Sequence, residues 1–539
     1  MREKWKNTLD RLQKAEDHKK IWLSLVIVCF VLYLAVGLMI YDDYSVSTDE
    51  PYERQTMWVN INYLSTVLGR ESMGVQELST YDDKYYGSVM QMPAVVLEMG
   101  KESQADIYRM RHLYTFGVCI VGYAAFYLLA YRLLRSRWLS LLGTLMMALA
   151  PRFFAEQFYN IKDMVFMAVF VVGMLATVEL LERKLDWKWI PVFSFAAALA
   201  TVTRMPGIIL MFVLLGYVWL AFILKKVCGD FYGLTWKKVL GVTAGVLGCF
   251  VVFFVLLLPG LWEAPLKNSI EFFVEFSDLT DGGGYLIFMG QDWNGVELPW
   301  YYVPVWMLIT LPVWYILCFA GAGVAYVKEL VTAAKEKKNI WTEIIFENKY
   351  WLWSFLLAFL PWVGMVMVGS TLYNAWRHCY FLFAPLLLFT LFGIRKMAAW
   401  GKGAGRRVIL VLALVGLVSQ TGWIVRNHPY EMVYFNRIGR SQAEYFDRDY
   451  SNLSELYAWR HIAEQDHGDK ITVGTAGSGL FRLMLTADEL QRLEFSEDPE
   501  YFIHTYRGVV GNDLKKEGYE EWHTISVDGY KIATVFKKQ

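Results

Sequence analysis

Eleven apolar stretches that could cross a lipid bilayer recur along this chain of 539 residues. A helix needs about 20 apolar residues to cross a hydrocarbon core about 30 Å thick. In lipid, a helix satisfies its backbone hydrogen bonds internally. The stretches are 21–41, 113–131, 138–150, 164–181, 190–203, 208–224, 239–261, 303–327, 350–368, 379–394 and 408–425. The sequence therefore predicts an all-α polytopic membrane protein with about 11 transmembrane helices.

The composition excludes several other classes of protein. Hydrophobic residues make up 56% of the chain and charged residues only 19%, which is unlike a soluble enzyme or a disordered chain. The 52 Lys and Arg residues balance 52 Asp and Glu residues, so the net charge indicates no nucleic-acid partner. The six cysteines form no CxxC motif and no His/Cys cluster, so we expect neither a disulfide framework nor a zinc site.

Basic residues are concentrated on one predicted side of the membrane. The segments 1–20, 132–137, 182–189, 225–238, 328–349 and 395–407 hold 27 Lys and Arg in 83 residues, whereas the opposite loops hold 11 in 139. Cytoplasmic loops carry such an excess. We therefore expect a multi-pass protein of the plasma (inner) membrane, with a retained cytoplasmic N-terminal extension and an extracytoplasmic C-terminus.

Two domains are expected. Residues 1–425 form the multi-span membrane domain, with a long first outer loop at 42–112 that contains an amphipathic helix at 57–68. Residues 426–539 form a small extracytoplasmic α+β domain, with a helix at 452–465 and a strand at 470–475. The pair Asp528-Gly529 predicts a hairpin turn within 523–537. Within the membrane domain, Arg204-Met205-Pro206-Gly207 predicts a tight hairpin inside 190–224.

Polar residues gather at the outer ends of the predicted spans, where ionisable groups are costly and therefore informative. An interfacial carboxylate or a snorkelling arginine explains any one of them alone. Their recurrence in five outer loops indicates a shared site. Glu53, Asp82 and Asp83 are expected to form a solvated face instead. The candidate site residues are Asp49, Glu50, Arg152, Glu156, Asn160, Lys162, Asp163, Arg204, Tyr373, Asn374, Arg377 and His378.

Such a set of residues suits an anionic, lipid-linked substrate. Arginine and lysine bind phosphate through charge-assisted hydrogen bonds. A neighbouring carboxylate can accept the proton of an acceptor hydroxyl as a general base. Transfer of a sugar from a polyprenyl phosphate fits this chemistry, because the cations stabilise the phosphate that leaves.

Several motifs resemble those of the polytopic glycosyltransferases of the C superfamily (GT-C fold), and most closely the bacterial protein O-mannosyltransferase-like branch. The most specific are Trp376-Arg377-His378 and His428-Pro429-Tyr430. Where related transferases carry Lys-Pro-Pro-Leu or His-Pro-Pro-Leu in the first loop, this chain has Tyr85-Tyr86-Gly87, which leaves the acceptor class open. The other motifs are Asp49-Glu50, Pro151 to Phe154, Asn160 to Asp163, Leu298 to Tyr302, Tyr373 to Ala375, Glu431 to Asn436 and Phe446 to Tyr450.

The resemblance implies an outward-facing site, a polyprenyl-phosphate-linked sugar donor and inversion at the anomeric carbon. Asp49 is then the catalytic base, or the residue that orients the acceptor, with Glu50 in support, and Asp163 is the second acid. Some superfamily members use a divalent cation such as Mg²⁺ or Mn²⁺, which Asp49 and Asp163 could bind, but no cofactor is assigned. Arg152 and Glu156 are expected to form an ion pair, while the donor-phosphate contacts are assigned to Lys162, Arg204, Arg377 and His378.

Two other classes of function remain open at this point. A transporter or flippase for lipid or polyprenyl phosphate would also need many spans, but it predicts internal repeats and midplane sites, which the sequence does not contain. A non-catalytic membrane anchor would leave the clustered cations unexplained. The sugar is not determined, nor is the acceptor, which could be a protein, a glycolipid or an envelope polymer.

Overall fold

The computed structural model describes residues 19–276, 284–400 and 404–539. Residues 1–18 of the expected cytoplasmic extension lie outside these ranges. The first ten helices are α1 (Lys19–Ile40), α2 (Asp49–Val67), α3 (Ala94–Glu98), α4 (Gln104–Leu134), α5 (Arg137–Ala148), α6 (Pro151–Tyr159), α7 (Asp163–Glu182), α8 (Ile190–Thr203), α9 (Ile209–Ile223) and α10 (Lys225–Cys228). The remaining ones are α11 (Trp236–Leu257), α12 (Pro265–Glu275), α13 (Tyr302–Thr310), α14 (Val313–Lys335), α15 (Ile340–Thr342), α16 (Lys349–Val368), α17 (Phe383–Ala399), α18 (Ala404–Asn427), α19 (Ser454–Gln465) and α20 (Ala487–Arg492).

Within the described ranges, nine helices are long and apolar enough to cross a membrane, and α5 with α6 forms a tenth candidate that bends by 67°. This agrees with the expected polytopic all-α class, although about 11 spans were predicted. The count falls because α5 has 12 residues and α8 has 14. A straight span of about 30 Å needs more residues than either helix contains. The predicted hairpin at Arg204 is confirmed, since α8 ends at Thr203 and a 3₁₀ turn, Met205–Ile208, leads into α9.

Helix α7 lies at the centre of the bundle. It is apolar all round, as expected for a helix surrounded by protein. It packs against α4 and α8, and Phe166 and Phe170 contact Phe381 in the 3₁₀ segment Arg377–Leu382. Because Asp163 is the first residue of α7, the packing of this helix places a carboxylate at one end of the core.

The C-terminal residues carry a mixed five-stranded sheet in the order β4-β3-β5-β7-β6. Strand β3 is parallel to β4 and β5, while β7 is antiparallel to β5 and β6. Leu456, Trp459 and Ile462 of α19 belong to the hydrophobic core of this sheet. The predicted helix, strand and Asp528-Gly529 hairpin are all present. The strands are β1 (Tyr285–Phe288), β2 (Gln291–Asn294), β3 (Ile471–Thr475), β4 (Leu493–Phe495), β5 (Tyr501–Thr505), β6 (Tyr519–Val527) and β7 (Tyr530–Lys538), where β1 and β2 form a separate hairpin.

Candidate active site

The turn that follows α1 places Asp49 at the first position of α2. The carboxylate of Glu50 accepts hydrogen bonds from the backbone N–H of Ser47 (2.7 Å) and from the Ser47 hydroxyl. Its other oxygen lies 3.0 Å from Nε2 of His112. Glu50 is therefore fully engaged in holding the turn, and it leaves the neighbouring Asp49 as the acid that faces the loop of Arg377.

Arg377 lies between two carboxylates. Its Nη1 donates to Oδ2 of Asp49, and its Nε lies 3.7 Å from Oδ2 of Asp163. Arg204 forms an ion pair with the other oxygen of Asp163. The side chain of Asp163 is only 1% exposed, whereas that of Asp49 is 32% exposed. Asp163 is thus enclosed by two guanidinium groups, and Asp49 keeps one side open.

The charges around Asp49 set its pKa. Burial acts to raise this pKa, but the charge and hydrogen bond of Arg377, together with the charge of Lys162, outweigh burial and lower it. Asp49 also lies at a helix N-terminus, where the helix dipole favours a negative charge. The carboxylate is therefore ionised, as a proton acceptor must be.

The loop that carries Arg377 has an unusual backbone. Asn374 and Ala375 adopt left-handed conformations, with φ of 55° and 61°. Such conformations are costly for residues other than glycine and persist where the surrounding structure holds them. Here Trp376 is buried and donates to the Thr310 hydroxyl. The ring of Tyr373 packs edge-on against His378 at 4.5 Å. The loop therefore holds Arg377 and His378 in fixed positions.

Lys162 is held from two sides. Its Nζ lies 2.6 Å from Oε1 of Glu53 and 3.9 Å from the centre of the Tyr86 ring. Burial acts to lower the pKa of Lys162, but the charge of Glu53 reverses this and raises it. The expectation that Glu53 belongs to a solvated face is wrong, because the helical spacing of Glu53 and Asp49 places both on the inner face of α2.

A cleft of about 140 Å³ opens beside these groups. Its polar wall includes Lys162, Arg204 and His378, whose Nε2 has no hydrogen-bond partner among the described residues. Its apolar wall includes Phe272 of α12 and Met365 of α16. Gly87 closes one side, where its backbone approaches the Val202 carbonyl too closely for a side chain. The apolar lining includes Tyr85, Tyr86, Phe272, Phe276 and Met365.

Glu156 and Arg152 do not form the expected ion pair. Glu156 accepts from Tyr380 (2.6 Å), Asn160 (2.6 Å) and Tyr450. The guanidinium of Arg152 instead packs at 5.3 Å from the rings of Trp306 and Phe435, and its Nε donates to the Tyr434 carbonyl. Although the two residues are four apart on α6, three other donors occupy the carboxylate. Neither residue is among those that line the cleft.

The structure thus brings together Asp49, Lys162, Asp163, Arg204, Arg377 and His378, and it places Glu50, Arg152, Glu156, Asn160, Tyr373 and Asn374 around them. Sequence reasoning missed Glu53, which its spacing from Asp49 could have indicated. It also missed Tyr86, Tyr380 and Tyr450, for which no local pattern exists. Among the described residues, no group of three or more His, Cys, Asp or Glu side chains could hold a metal ion. Guanidinium groups already occupy the two acids that the sequence suggested as metal ligands.

One segment of the chain matches a known protein family. Residues 97–280 match the family model described as dolichyl-phosphate-mannose-protein mannosyltransferase, which confirms the resemblance expected from the motifs. This segment contains Arg152 through Asp163 and Arg204, whereas Asp49, Arg377 and His378 lie outside it. No curated protein matches the chain in sequence.

The solved structures that are similar to this chain include the following two. One is the crystal structure of ArnT from Cupriavidus metallidurans bound to undecaprenyl phosphate. It has a TM-score of 0.48 and 12% identity over 95% of this chain and 98% of that chain. The other is the archaeal oligosaccharyltransferase AglB from Archaeoglobus fulgidus in complex with an inhibitory peptide and a dolichol-phosphate. It has a TM-score of 0.48 and 9% identity over 90% of this chain and 70% of that chain.

Proposed function

We propose that this chain is a membrane glycosyltransferase that uses a polyprenyl-phosphate-linked sugar. The premise is the match of residues 97–280 to the mannosyltransferase family model. One observation carries the proposal. A half-open carboxylate, Asp49, is paired with Arg377 next to a cleft that presents Lys162, Arg204 and His378. An acid that can accept a proton therefore lies beside cations that can bind a phosphate.

The cleft suits the donor. Lys162 and Arg204 provide charged donors for the phosphate oxygens, and Nε2 of His378 provides a further polar contact. The aromatic rings and Met365 on the opposite wall suit the apolar chain of a polyprenyl group. The bound phosphate needs no acid to depart, because its second pKa of about 6 makes it a stable anion. The cations stabilise the charge that develops on it.

Asp49 acts as the general base on the acceptor. The acceptor hydroxyl gives its proton to Asp49, and its oxygen forms a bond to the anomeric carbon. The bond from that carbon to the phosphate oxygen breaks, and its electron pair leaves with the polyprenyl phosphate. A single displacement of this kind inverts the anomeric centre. Asp163, which is enclosed by Arg204 and Arg377, orients the two arginines and does not meet the acceptor.

The arrangement in the membrane follows from the distribution of basic residues. We place the cleft on the extracytoplasmic face of the plasma (inner) membrane, with residues 1–425 as the membrane domain and 426–539 as an extracytoplasmic domain. The acceptor is a hydroxyl of a protein, a glycolipid or an envelope polymer. Arginines already neutralise Asp49 and Asp163, so the proposed transfer needs no divalent cation at these acids.

The test uses purified protein in nanodiscs with a panel of polyprenyl-phosphate sugars and membrane extract as the source of acceptor. Mass spectrometry measures the free polyprenyl phosphate that is released. Wild type is expected to release it, and Asp49→Asn to lose at least about a hundredfold in rate, as for a general base. The matched control is Asp82→Asn, which changes an exposed acid in the same loop and is expected to keep wild-type rates.

Two outcomes would contradict the proposal. One is folded wild-type protein that binds polyprenyl phosphate but releases none from any donor. The other is an Asp49→Asn variant with wild-type rates. Movement of a labelled polyprenyl phosphate across the bilayer without sugar transfer would favour the transporter alternative.

A further inference from the structure

Glu156 is a buried carboxylate for which the proposed mechanism has no direct use. It is completely buried and lies outside the cleft. Three donors bind it: the hydroxyls of Tyr380 and Tyr450 and the amide of Asn160. A buried carboxylate is costly unless such donors satisfy it. The donors come from three separate parts of the chain, so Glu156 joins α6, the segment before α17 and the C-terminal residues.

Asn160 connects Glu156 to the second acid of the site. Its Nδ2 lies 2.6 Å from Glu156 and 3.3 Å from Oδ2 of Asp163. Its Oδ1 accepts the backbone N–H groups of Asp163 (2.7 Å) and Lys162 (3.3 Å). The Nδ2 end of the Asn160 amide donates to Oε2 of Glu156, so this hydrogen bond fixes which end of the amide faces Glu156. The oxygen must then face the start of α7, where it caps two backbone N–H groups.

Tyr450 reaches this group from the C-terminal residues, and its own segment is rigidly held. Asp447 accepts from the backbone N–H groups of Ile287 (3.1 Å) and Gly508 (2.9 Å). Asp449 accepts from the N–H groups of Leu453 (3.0 Å) and Ser454 (2.8 Å) at the start of α19. The hydroxyl of Tyr450 therefore occupies a position that the C-terminal fold determines.

We propose that Tyr450, Glu156 and Asn160 are positioning residues that act on Asp163 and Lys162, so that residues 426–539 are a working part of the active site. The relay runs from the Tyr450 hydroxyl to the Glu156 carboxylate, through the Asn160 amide, to the start of α7. This inference rests on the proposed function. It reassigns Glu156 and Asn160 from substrate binding to positioning, because the hydrogen bonds of both are directed at protein groups.

The test compares two tyrosine variants. Tyr450→Phe removes the hydroxyl that binds Glu156 and keeps the ring. Tyr457→Phe is the matched control. The hydroxyl of Tyr457 also joins the C-terminal residues to the membrane domain, because it donates to the Asp43 carbonyl at 2.9 Å. It does not contact the relay. Tyr450→Phe is expected to lower kcat about tenfold and to leave the KM of the donor within about twofold, whereas the control changes neither.

Hydrogen exchange provides a readout that needs no activity. Peptides that cover residues 160–166 are expected to exchange faster in Tyr450→Phe and at the wild-type rate in Tyr457→Phe, because the cap on α7 depends on the relay. A second variant, Glu156→Gln, is expected to give the same faster exchange. Adding Tyr450→Phe to Glu156→Gln is expected to lower kcat by less than about twofold, since both changes break one chain of contacts.

The relay is refuted if residues 160–166 exchange alike in Tyr450→Phe and wild type, or if the two substitutions multiply their effects on kcat. A wild-type protein that transfers no sugar would instead refute the proposed function. In that case the exchange measurement still decides whether Tyr450 controls the start of α7.

Discussion

Asp49 and Arg377 lie 328 positions apart in the sequence and form a direct ion pair. Because Arg377 also lies beside Asp163, one guanidinium aligns both acids of the site. Lys162 and Arg204 complete a set of three cations, and Glu53 makes a third anion. The charges balance before the donor binds, so an arriving phosphate adds negative charge next to Asp49. That charge favours the protonated form of Asp49 and makes it a better base when the donor is present.

The pairing predicts how activity depends on pH. The pKa of Asp49 is lowered, so Asp49 stays ionised, and kcat/KM is retained, to a pH below the ordinary titration range of aspartate. Removing the charge in Arg377→Gln leaves burial as the dominant influence, and the acid limb of the kcat/KM profile is expected to move to higher pH. Release of polyprenyl phosphate between pH 3 and 8 measures this. The control is Arg109→Gln, which changes a partly exposed arginine outside the site and is expected to leave the limb in place. An unchanged limb in Arg377→Gln would argue against Asp49 as the base.

Lys162 is predicted to bind the donor phosphate. Lys162→Met keeps most of the side-chain length but removes the charge, so polyprenyl phosphate is expected to bind about 10-fold to 100-fold more weakly. Titration of a labelled polyprenyl phosphate into nanodiscs would measure the affinity. Lys101→Met removes an exposed lysine from the loop before α4, which does not line the cleft, and is expected to have no effect. Equal affinities for Lys162→Met and wild type would exclude Lys162 as a phosphate ligand.

Gly87 is predicted to tolerate no side chain. A Cβ at this position would lie 1.8 Å from the Val202 carbonyl oxygen, so Gly87→Ala must displace the loop that carries Tyr86. The expected result is a roughly tenfold loss in kcat/KM with a reduced unfolding temperature. Gly117→Ala is the control, because a Cβ there meets no atom within 4 Å. If Gly87→Ala matched this control in both measurements, the backbone at Gly87 would not pack closely against the Val202 carbonyl.

His428 is predicted to stabilise the junction between α1 and α18 through its charge. Nε2 lies 2.9 Å from Asp43 and Nδ1 lies 2.8 Å from Glu431. Burial acts to lower the pKa of His428, but hydrogen bonds to Asp43 and Glu431 and their charges raise it from 6.5 to about 9. A raised pKa contributes stability that is complete below pH 6.5 and is lost as the pH rises through about 9.

The contribution of His428 is of order 2 kcal/mol at its maximum. Thermal unfolding between pH 6 and 10 should therefore show a fall in midpoint for wild type, and a smaller fall for His428→Gln. His467→Gln, which changes an exposed histidine, is the control and is expected to follow wild type. A wild-type midpoint that stays level across this range would show that the charge of His428 does not hold the junction.

The approximate positions of the long apolar helices could be predicted because they follow from short stretches of sequence, although the run 303–327 is divided between α13 and α14. The run 164–181 predicted α7, observed as Asp163–Glu182, and Asp528-Gly529 predicted the turn between β6 and β7. Apolar length and turn chemistry are local properties, so they need no knowledge of neighbours. The number of spans was harder to predict, because α5 and α8 are each too short to cross alone, and α5 is a candidate span only together with α6. Whether a short apolar helix spans or turns back depends on the helices that pack around it.

The sequence by itself determined the polytopic all-α class, a predicted orientation and the set of polar loop residues from which the site is drawn. Only the tertiary structure decided which of those residues meet: Glu53 pairs with Lys162, Arg152 packs on aromatic rings, and Tyr450 reaches Glu156. The physical reason is that an apolar run expresses a preference for lipid residue by residue, whereas a side-chain contact depends on direction and on distance. Residues 294 positions apart, such as Tyr450 and Glu156, share a hydrogen bond only because the packing of every helix between them brings them to the same place.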